Sequence, residues 1–526
     1  VPVPAARSRT RSPGRGSSAW TTARRHSRVW PRASTSFVRS YRSATSSNMA
    51  ATSSGRRARS AAGTSHIVAC RQRFDLPERA ESRTLARVSS SVTLVPTAES
   101  SRFRARTVEV DLPELSDSAA LLDLLPDEDA LAWVRNGDGL VAWGVAASWE
   151  FSGQERFSRA QRWWNRWLAE VEIDDPLRLP GTGPLAFASF TFDPASSGST
   201  VVIPRVIIGR RHGHTFVTVV EDSEQAVSGQ PVGLPVATDP TAQLLPRIQA
   251  PYEPGQITYD DGSLSPDKWM AAVAQVIDRI GRGEIDKVVL ARDILARTEH
   301  PVDVRHLLHR LAENYPECWT FSVAGMVGAT PELLVRRIGS EVTSRVLAGT
   351  VKRRGDESED AGLAAALLGS NKDLEEHEYA VRSVAQALSA HCADLDVPGR
   401  PRVLRLPNVA HLATDITGQL VDSAPVLALA ASLHPTAAVC GTPTERAFSV
   451  IRELEGMDRG RYAGPVGWWD SRGDGEFGIA LRCAEIDEDR TALRLFAGCG
   501  IVAGSQPEAE LSESRAKLVP IVDALA

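Results

Sequence analysis

A lysine, Lys287, opens an apolar, strand-like segment in the second half of the sequence. The segment reads GEIDKVVLARD, and its run from Val288 to Ala291 has the apolar character of a buried strand. Lysine is rare in this chain, because five lysines stand among 60 basic residues and arginine supplies the rest. A buried lysine can release its proton whereas an arginine cannot, so Lys287 is a candidate general base.

Two predicted helices carry closely spaced carboxylates. NKDLEEHEYAV begins a helix with Asp373 and Glu376 in its first turns, where the helix dipole alone favours acidic residues. In PEAELSESRAKLVP, the spacing places Glu510, Glu513 and Lys517 on one helix face. These residues fit a solvated face with a Glu513–Lys517 ion pair. They also fit a site for a hard cation such as Mg²⁺, if Glu376 and Glu513 meet across a cleft.

A glycine-rich segment, AGCGIVAGS, stands just before the second of these helices. Its glycines Gly498, Gly500 and Gly504 miss the dinucleotide-binding spacing, and no further βαβ unit follows them. Glycines nevertheless let backbone N–H groups approach an anion closely. The chain contains no G-x-S-x-G, H-E-x-x-H or phosphate-loop motif, so these common hydrolase and nucleotide-binding classes are not indicated.

The elements that would position these residues read as an α+β fold with large antiparallel sheets flanked by helices. Up to about residue 262 the pattern is mostly strands, interrupted by one helix, SRAQRWWNRWLAEVE, and followed by a Pro- and Gly-rich connection. The second half begins with a helix capped by Ser265, with Pro266 in its first position. Its predicted core face carries Met270, Val273, Ile277 and Ile280. A hairpin about Gly339-Ser340, a strand EFGIALRCAEID and a last helix from Pro507 follow.

Composition separates the start of the chain from the remainder. Residues 1–70 contain no Asp, Glu or Lys but many Arg and Ser, and they show no apolar period. Three readings are open for residues 1–105: an organellar targeting segment, a nucleic-acid-binding arm, and a disordered extension upstream of a misplaced start. The last is favoured by the composition. Residues 106–262 and 263–526 are predicted to be the two parts of one catalytic domain.

Charge, hydropathy and cysteine content restrict the partners and the compartment. The net charge of -5 includes the basic start, so the remainder is strongly acidic, which argues against nucleic acid as its partner. No apolar run approaches the roughly 20 residues of a membrane span. The six cysteines have no paired or metal-type spacing, which suits free thiols in a reducing cytoplasm.

Ten segments, in order along the chain, resemble the chorismate-utilising enzymes. They are DKVVLARD, GATPELLV, VLAGT, EHEYAV, HLATDITG, HPTAAVCGTP, RYAGPVGWWD, IALRC, AGCGIVAGS and PEAELSESRAK. The resemblance covers roughly residues 106–526 and is dense from 263 onward. It implies the fold of that family, with the active site in a central cleft, and chorismate as the substrate.

The resemblance also assigns roles to residues. Chorismate chemistry of this type adds a nucleophile at C2 and expels the C4 hydroxyl, which needs a base, an acid and a cation at the ring carboxylate. Lys287 matches the base that activates water, and Glu332, in TPELL, matches the acid. Glu376 and Glu513 match magnesium ligands, with Glu510 and Asp373 close by through water. The matching substrate contacts are Gly349, Thr350, His411, Ala438, Tyr462, Arg482, Gly498, Gly500 and Lys517.

Individual residues separate the members of this family. Ammonia-using relatives carry glutamine where Lys287 stands, so no glutamine amidotransferase subunit is expected. Salicylate synthases share the lysine but carry threonine where this chain has Ala438, which favours isochorismate synthase and leaves salicylate synthase as the alternative. A cytoplasmic monomer is expected. A nucleic-acid-binding protein acting through the basic arm is the alternative of another class.

Overall fold

The computed structural model describes residues 102–110, 121–223 and 250–526, all of which fall within one compact unit, Thr93–Ala526. The readings of residues 1–70 and most of the Pro- and Gly-rich connection lie outside the described residues. The first described strand begins at Phe103, slightly before the predicted start of order at residue 106. Its inward side chains, Phe103 and Ala105, are buried, so these residues belong to the folded body.

The strands of the described residues alternate with helices in long runs. The strands before residue 262 are β1 (Phe103–Val110), β2 (Leu131–Arg135), β3 (Asp138–Phe151), β4 (Val171–Asp174), β5 (Leu185–Ser189), β6 (Ser199–Arg211), β7 (His214–Asp222) and β8 (Ile257–Asp261). The later strands are β9 (Lys287–Thr298), β10 (Trp319–Val323), β11 (Met326–Thr330), β12 (Leu333–Ile338), β13 (Glu341–Lys352), β14 (Cys392–Asp396), β15 (Arg402–Arg405), β16 (Val409–Leu420), β17 (Gly441–Thr442), β18 (Pro465–Asp470), β19 (Gly475–Ile479), β20 (Cys483–Ile486) and β21 (Ala492–Ile501).

Eight α-helices flank these strands in the described part of the chain. They are α1 (Arg156–Leu168), α2 (Pro266–Gly281), α3 (Val304–Asn314), α4 (Glu357–Leu368), α5 (Asn371–Leu388), α6 (Val426–Leu433), α7 (Thr444–Leu454) and α8 (Pro507–Leu525). The predicted helix starts at Pro266 and Pro507 are confirmed, as is the hairpin between β12 and β13. None of these helices combines the length and apolarity that a membrane crossing requires.

Strand pairing joins the two halves of the chain into one branched sheet. One arm runs from β1 through β7, β6, β3, β2, β10, β11, β20 and β21 to β9. A second arm leaves β6 through β5, β18, β19, β12 and β13 to β16. The pairings in both arms are antiparallel, and the β2–β10 and β5–β18 pairings cross the predicted boundary at residue 262. The predicted α+β architecture is therefore confirmed.

Three local predictions were wrong. The helix SRAQRWWNRWLAEVE ends at Leu168, and Val171–Asp174 instead form β4, which pairs with β1. The segment EFGIALRCAEID forms two strands, β19 and β20, because Arg482 takes a left-handed backbone φ of 49° between them. In α2 the fully buried face includes Trp269, which the predicted face omitted, and the Ser265 side chain forms no capping hydrogen bond.

Candidate active site

A cavity lies where β9, β13, β16 and β21 converge with α5 and α8. All nine predicted substrate-binding residues line it, together with Glu332 and Glu376. Residues that the sequence did not single out also form its wall: Val289, Pro331, Leu347, Ala348, Val439, Arg459, Ala463 and Leu481. The four other predicted residues, Lys287, Asp373, Glu510 and Glu513, are not among the residues that line the cavity.

Lys287 begins β9 and is completely buried. Its Nζ lies 3.3 Å from Oε1 of Glu376 and 3.5 Å from the Glu376 backbone oxygen. Both side chains pack against Gly500, where a Cβ atom would stand 1.9 Å from Glu376 Oε1 and 3.1 Å from Lys287 Cε. Glycine at this position therefore leaves room for the Lys287 and Glu376 side chains beside the cavity.

Glu332 lies between β11 and β12, at the point where the register of β12 against β19 shifts. Its backbone is fixed because its N–H donates to Thr330 Oγ1 and its carbonyl accepts from Ile479 N. Only 4% of the residue is exposed. Burial raises the pKa of Glu332 to about 8, although the Leu347 N–H and the charges of Lys287 and Arg482 act in the opposite direction. Glu332 is consequently a neutral acid at pH 7, able to donate a proton into the cavity.

Two of the four predicted metal ligands, Glu510 and Glu513 of α8, lie close together, and Asp373 and Glu376 of α5 are near enough to interact with them electrostatically. Ligand atoms of Glu510, Glu513 and Cys499 lie within 4.8 Å of one another. Burial, and then the neighbouring Glu513, raise the pKa of Glu510. Burial also raises the pKa of Asp373, with Glu376 and Glu513 adding to the effect. This crowding of carboxylate oxygens, which raises the cost of their charges, fits a hard divalent cation such as Mg²⁺.

Lysines already compensate part of this negative charge. Lys372 Nζ lies 2.8 Å from Glu510 Oε1, and Lys517 Nζ lies 2.7 Å from Glu513 Oε1. The predicted Glu513–Lys517 pair is thus present, but it borders the cavity rather than a solvated helix face. Burial opposes the charge of Lys517, but Glu513 and Cys499 together outweigh burial and raise the pKa of this lysine.

The cavity also presents groups suited to binding a carboxylate. Arg482 Nη2 lies 3.0 Å from His411 Nε2, and His411 Nδ1 lies 3.0 Å from Thr350 Oγ1. Because a guanidinium only donates, Nε2 is the acceptor and the imidazole is neutral. Burial, with Arg482 and Lys517, holds the pKa of His411 well below its usual range. Lys517 also donates to the Gly498 carbonyl at 2.9 Å, so Arg482 and Lys517 are both held at the cavity.

Tyr462 and Ala438 also line the cavity. Tyr462 is buried and stacks on Phe496 with ring centroids 4.9 Å apart. Burial raises the pKa of its hydroxyl, which therefore stays protonated. Ala438 belongs to the segment 434–440 that precedes β17, and its methyl group presents little bulk to the cavity.

The sequence reading missed Arg459, which is buried and lines the cavity. Its separation of four residues from Glu455 near the end of α7 was a signal for an ion pair, and such a pair forms. Spacing alone could not show that this pair is buried beside β9.

Comparison with known proteins identifies the family of this chain. The sequence model described as "Chorismate binding enzyme" matches residues 108–526, and the chain belongs to this family. Isochorismate synthase MenF of Bacillus subtilis is 33% identical over 393 residues, covering 70% of this chain and 81% of that protein. Isochorismate synthase DhbC of the same organism is 42% identical over 272 residues, covering 49% of this chain and 68% of that protein.

A solved structure shows the same architecture. The menaquinone-specific isochorismate synthase MenF from Escherichia coli superposes with a TM-score of 0.65 at 25% sequence identity. The match covers 81% of this chain and 95% of that protein. The predicted family and fold are thereby confirmed.

Proposed function

We propose that this chain converts chorismate to isochorismate by adding water at C2 and releasing the C4 hydroxyl. The observation that carries the proposal is Glu332, a carboxylic acid kept neutral at the cavity wall by burial. A neutral acid is what expulsion of a hydroxyl requires. Relatives named for isochorismate formation support the choice of reaction.

In the proposed chemistry, Lys287 acts as the base and Glu332 acts as the acid. Lys287 on β9 accepts a proton from water as the water oxygen forms its bond to C2. The ring double bonds shift, and the bond from C4 to its oxygen breaks. Glu332 gives its proton to the departing oxygen, so that water leaves. The product is an isomer of the substrate, and no oxidant or co-substrate is consumed.

The remaining residues bind and orient the substrate in this proposal. Arg482 and Lys517 face its carboxylates as charged hydrogen-bond donors, while neutral His411 holds the guanidinium of Arg482 in place. The backbone at Gly349, Thr350, Gly498 and Gly500 borders the ring.

The carboxylate cluster is proposed to hold magnesium. Glu376 and Glu513 would be its direct ligands, with Glu510 and Asp373 acting through water. When bound, Mg²⁺ would neutralise the ring carboxylate and draw electron density from the ring. Three of these carboxylates, Glu376, Glu510 and Glu513, also orient Lys287, Lys372 and Lys517 through contacts of 3.3, 2.8 and 2.7 Å respectively.

Isotope labelling tests the reaction. Chorismate incubated with the enzyme and Mg²⁺ in H₂¹⁸O should give isochorismate carrying ¹⁸O at C2, as read by mass spectrometry. Unlabelled isochorismate would exclude addition of solvent water, and absence of isochorismate would overturn the proposed function. Relatives are named for menaquinone-specific and vibriobactin-specific isochorismate synthesis. This chain is proposed to serve menaquinone or siderophore formation in the cytoplasm, as a monomer without an amidotransferase partner.

A further inference from the structure

One edge of β9 is left open beside the cavity. The other edge pairs with β21 from Val288 to Arg297. On the open edge, β17 pairs only with Lys287 and Val288, and β8 begins pairing at Ile294. The intervening stretch must satisfy its backbone groups without a partner strand.

Side chains and a loop take the place of that strand. The Val289 N–H donates to the Cys440 carbonyl at 2.8 Å, and the Ala291 carbonyl accepts from Trp269 Nε1 at 2.9 Å. The other two groups, the Val289 carbonyl and the Ala291 N–H, are satisfied by Arg459 and Glu455.

The buried pair of Glu455 and Arg459, here called the clamp, forms short hydrogen bonds to these two backbone groups. Glu455 Oε1 accepts from the Ala291 N–H at 2.7 Å. Arg459 Nη2 donates to the Val289 carbonyl, and Arg459 Nη1 donates to the Val439 carbonyl, both at 2.8 Å. One guanidinium therefore bridges the strand that begins with Lys287 and the segment that carries Ala438.

The geometry of the clamp is fixed from several sides. Arg459 Nε donates to Glu455 Oε2 at 2.8 Å, and the guanidinium carbon lies 4.2 Å from the centre of the Phe192 ring. The two side chains are 2% and 0% exposed. A buried ion pair is weak evidence of stabilisation, because a well-packed apolar pair of similar volume often stabilises a fold equally well. What apolar side chains could not reproduce is the simultaneous bonding of two backbone carbonyls and one N–H.

We propose that the clamp is a positioning device for the reaction. It holds β9, and hence Lys287, at a fixed separation from Ala438 and Val439 on the neighbouring cavity wall. Arg459 acts through these groups rather than on the substrate. Lysine could not replace it, because a single ammonium lacks the planar fork that spans both carbonyls while facing the carboxylate. This inference depends on the proposed function only for its predicted effect on kcat.

Kinetics of Arg459→Lys test this role. Misplacement of a catalytic group by about 1 Å can cost on the order of 10²-fold in rate. We therefore expect kcat to fall by about that factor, while KM for chorismate changes little because Arg482 and Lys517 remain in place. The double variant Glu455→Leu/Arg459→Met should keep the fold and show the same loss of kcat. Guanidinium ion added to Arg459→Ala should restore part of the rate.

A matched control is available in Arg305, a buried arginine paired with Asp303 at 2.6 Å outside the cavity lining. Arg305→Lys should alter thermal stability without changing kcat per folded molecule. Wild-type kcat in Arg459→Lys, or a loss that only follows the unfolded fraction, would overturn the positioning role.

Hydrogen exchange separates the clamp from the proposed function. In the absence of substrate, Arg459→Lys should speed exchange of amides at 289–291 and 437–440 more than elsewhere. Uniform acceleration over the whole sheet would contradict the clamp. If the unmodified enzyme makes no isochorismate but this local effect is present, the proposed function fails and the clamp stands.

Discussion

The carboxyl group of Glu332 is kept neutral by its surroundings, and this has a kinetic consequence. Its pKa is about 8, so the acid form is present at pH 7 and is lost as the pH rises past that value. The free-enzyme profile, kcat/KM against pH, should therefore fall on its alkaline side near pH 8. Glu332→Gln should lower kcat on the order of 10²–10⁴-fold. Unchanged turnover in a folded Glu332→Gln enzyme would contradict the assignment.

The same carboxyl group should make folding stability depend on pH. The folded state holds the Glu332 proton up to about pH 8, whereas the unfolded chain releases it near 4.5. Between these values the folded state binds more protons, so this residue's contribution to the free energy of unfolding declines as pH rises, by about 1.4 kcal/mol per unit at most. Denaturant titrations should show Glu332→Gln gaining stability relative to the unmodified protein from pH 5 to pH 8. A constant difference would mean that Glu332 is ionised in the fold.

Lys287 is the second residue whose chemistry can be tested alone. Lys287→Ala should nearly abolish turnover, because no other described residue occupies its position beside Glu376 and Gly500. Lys268→Ala, an exposed lysine on α2, is the matched control and should keep full activity. Near-normal turnover by a folded Lys287→Ala enzyme would remove the base from the proposed mechanism.

At the scale of elements, α5 and α8 deliver the carboxylates to one place. Their first turns carry Glu376, which lines the cavity, and Glu513, so the proposed metal binding depends on the packing of these two helices. Chelation should stop activity, and Mg²⁺ should restore it. Glu376→Gln and Glu513→Gln should each raise the Mg²⁺ requirement by at least about tenfold.

Two controls make the metal prediction specific. Glu375→Gln and Glu508→Gln alter exposed carboxylates on the same helices and should leave the requirement unchanged. Direct binding of Mn²⁺, followed by electron paramagnetic resonance, should weaken in the first pair of variants only. An enzyme whose rate is insensitive to EDTA would show that these glutamates are helix-end charges.

Elements with strong local signals were predictable from the sequence. Pro266 and Pro507 marked helix starts, and Gly339-Ser340 marked a hairpin, because these residues act through their own backbone preferences. The end of α1 was not predictable, since Val171–Asp174 become a strand only by pairing with β1. The open edge of β9 and the clamp were equally hidden, because both arise from contacts between segments distant in sequence.

For the whole molecule, the two halves of the described chain form one cavity-bearing body. The residues that the resemblance predicts to bind substrate line one cavity in the structure. Composition or periodicity alone would not have brought Glu332, His411 and Arg482 together, because their contacts join β12, β16 and the break between β19 and β20.

The basic start of the chain is predicted to be dispensable. A chain shortened to begin at Arg102 keeps all of β1. A chain that begins at Arg106 would lose the first residues of this strand and their pairing with β4, including the Arg104–Glu172 contacts. The longer version should match the full chain in kcat and melting temperature, because residues 1–70 lack a pattern that buries surface. Loss of folding would show that the removed residues pack on the body. Salt-sensitive nucleic-acid binding that vanishes with residues 1–70 would support the alternative arm function.

Product identity at early times tests the central claim most directly. Chorismate is incubated with the enzyme and Mg²⁺ at neutral pH, and samples are taken before the substrate is consumed. Separation with mass detection should show isochorismate. When isochorismate is the substrate, the reaction should form chorismate and reach the same equilibrium ratio of the two compounds. Addition of ammonium should yield no aminated product. Little salicylate is expected, because Ala438 offers few contacts that would retain the product, and Ala438→Thr should slow the forward reaction. Salicylate as the dominant early product of the unmodified enzyme would contradict the account.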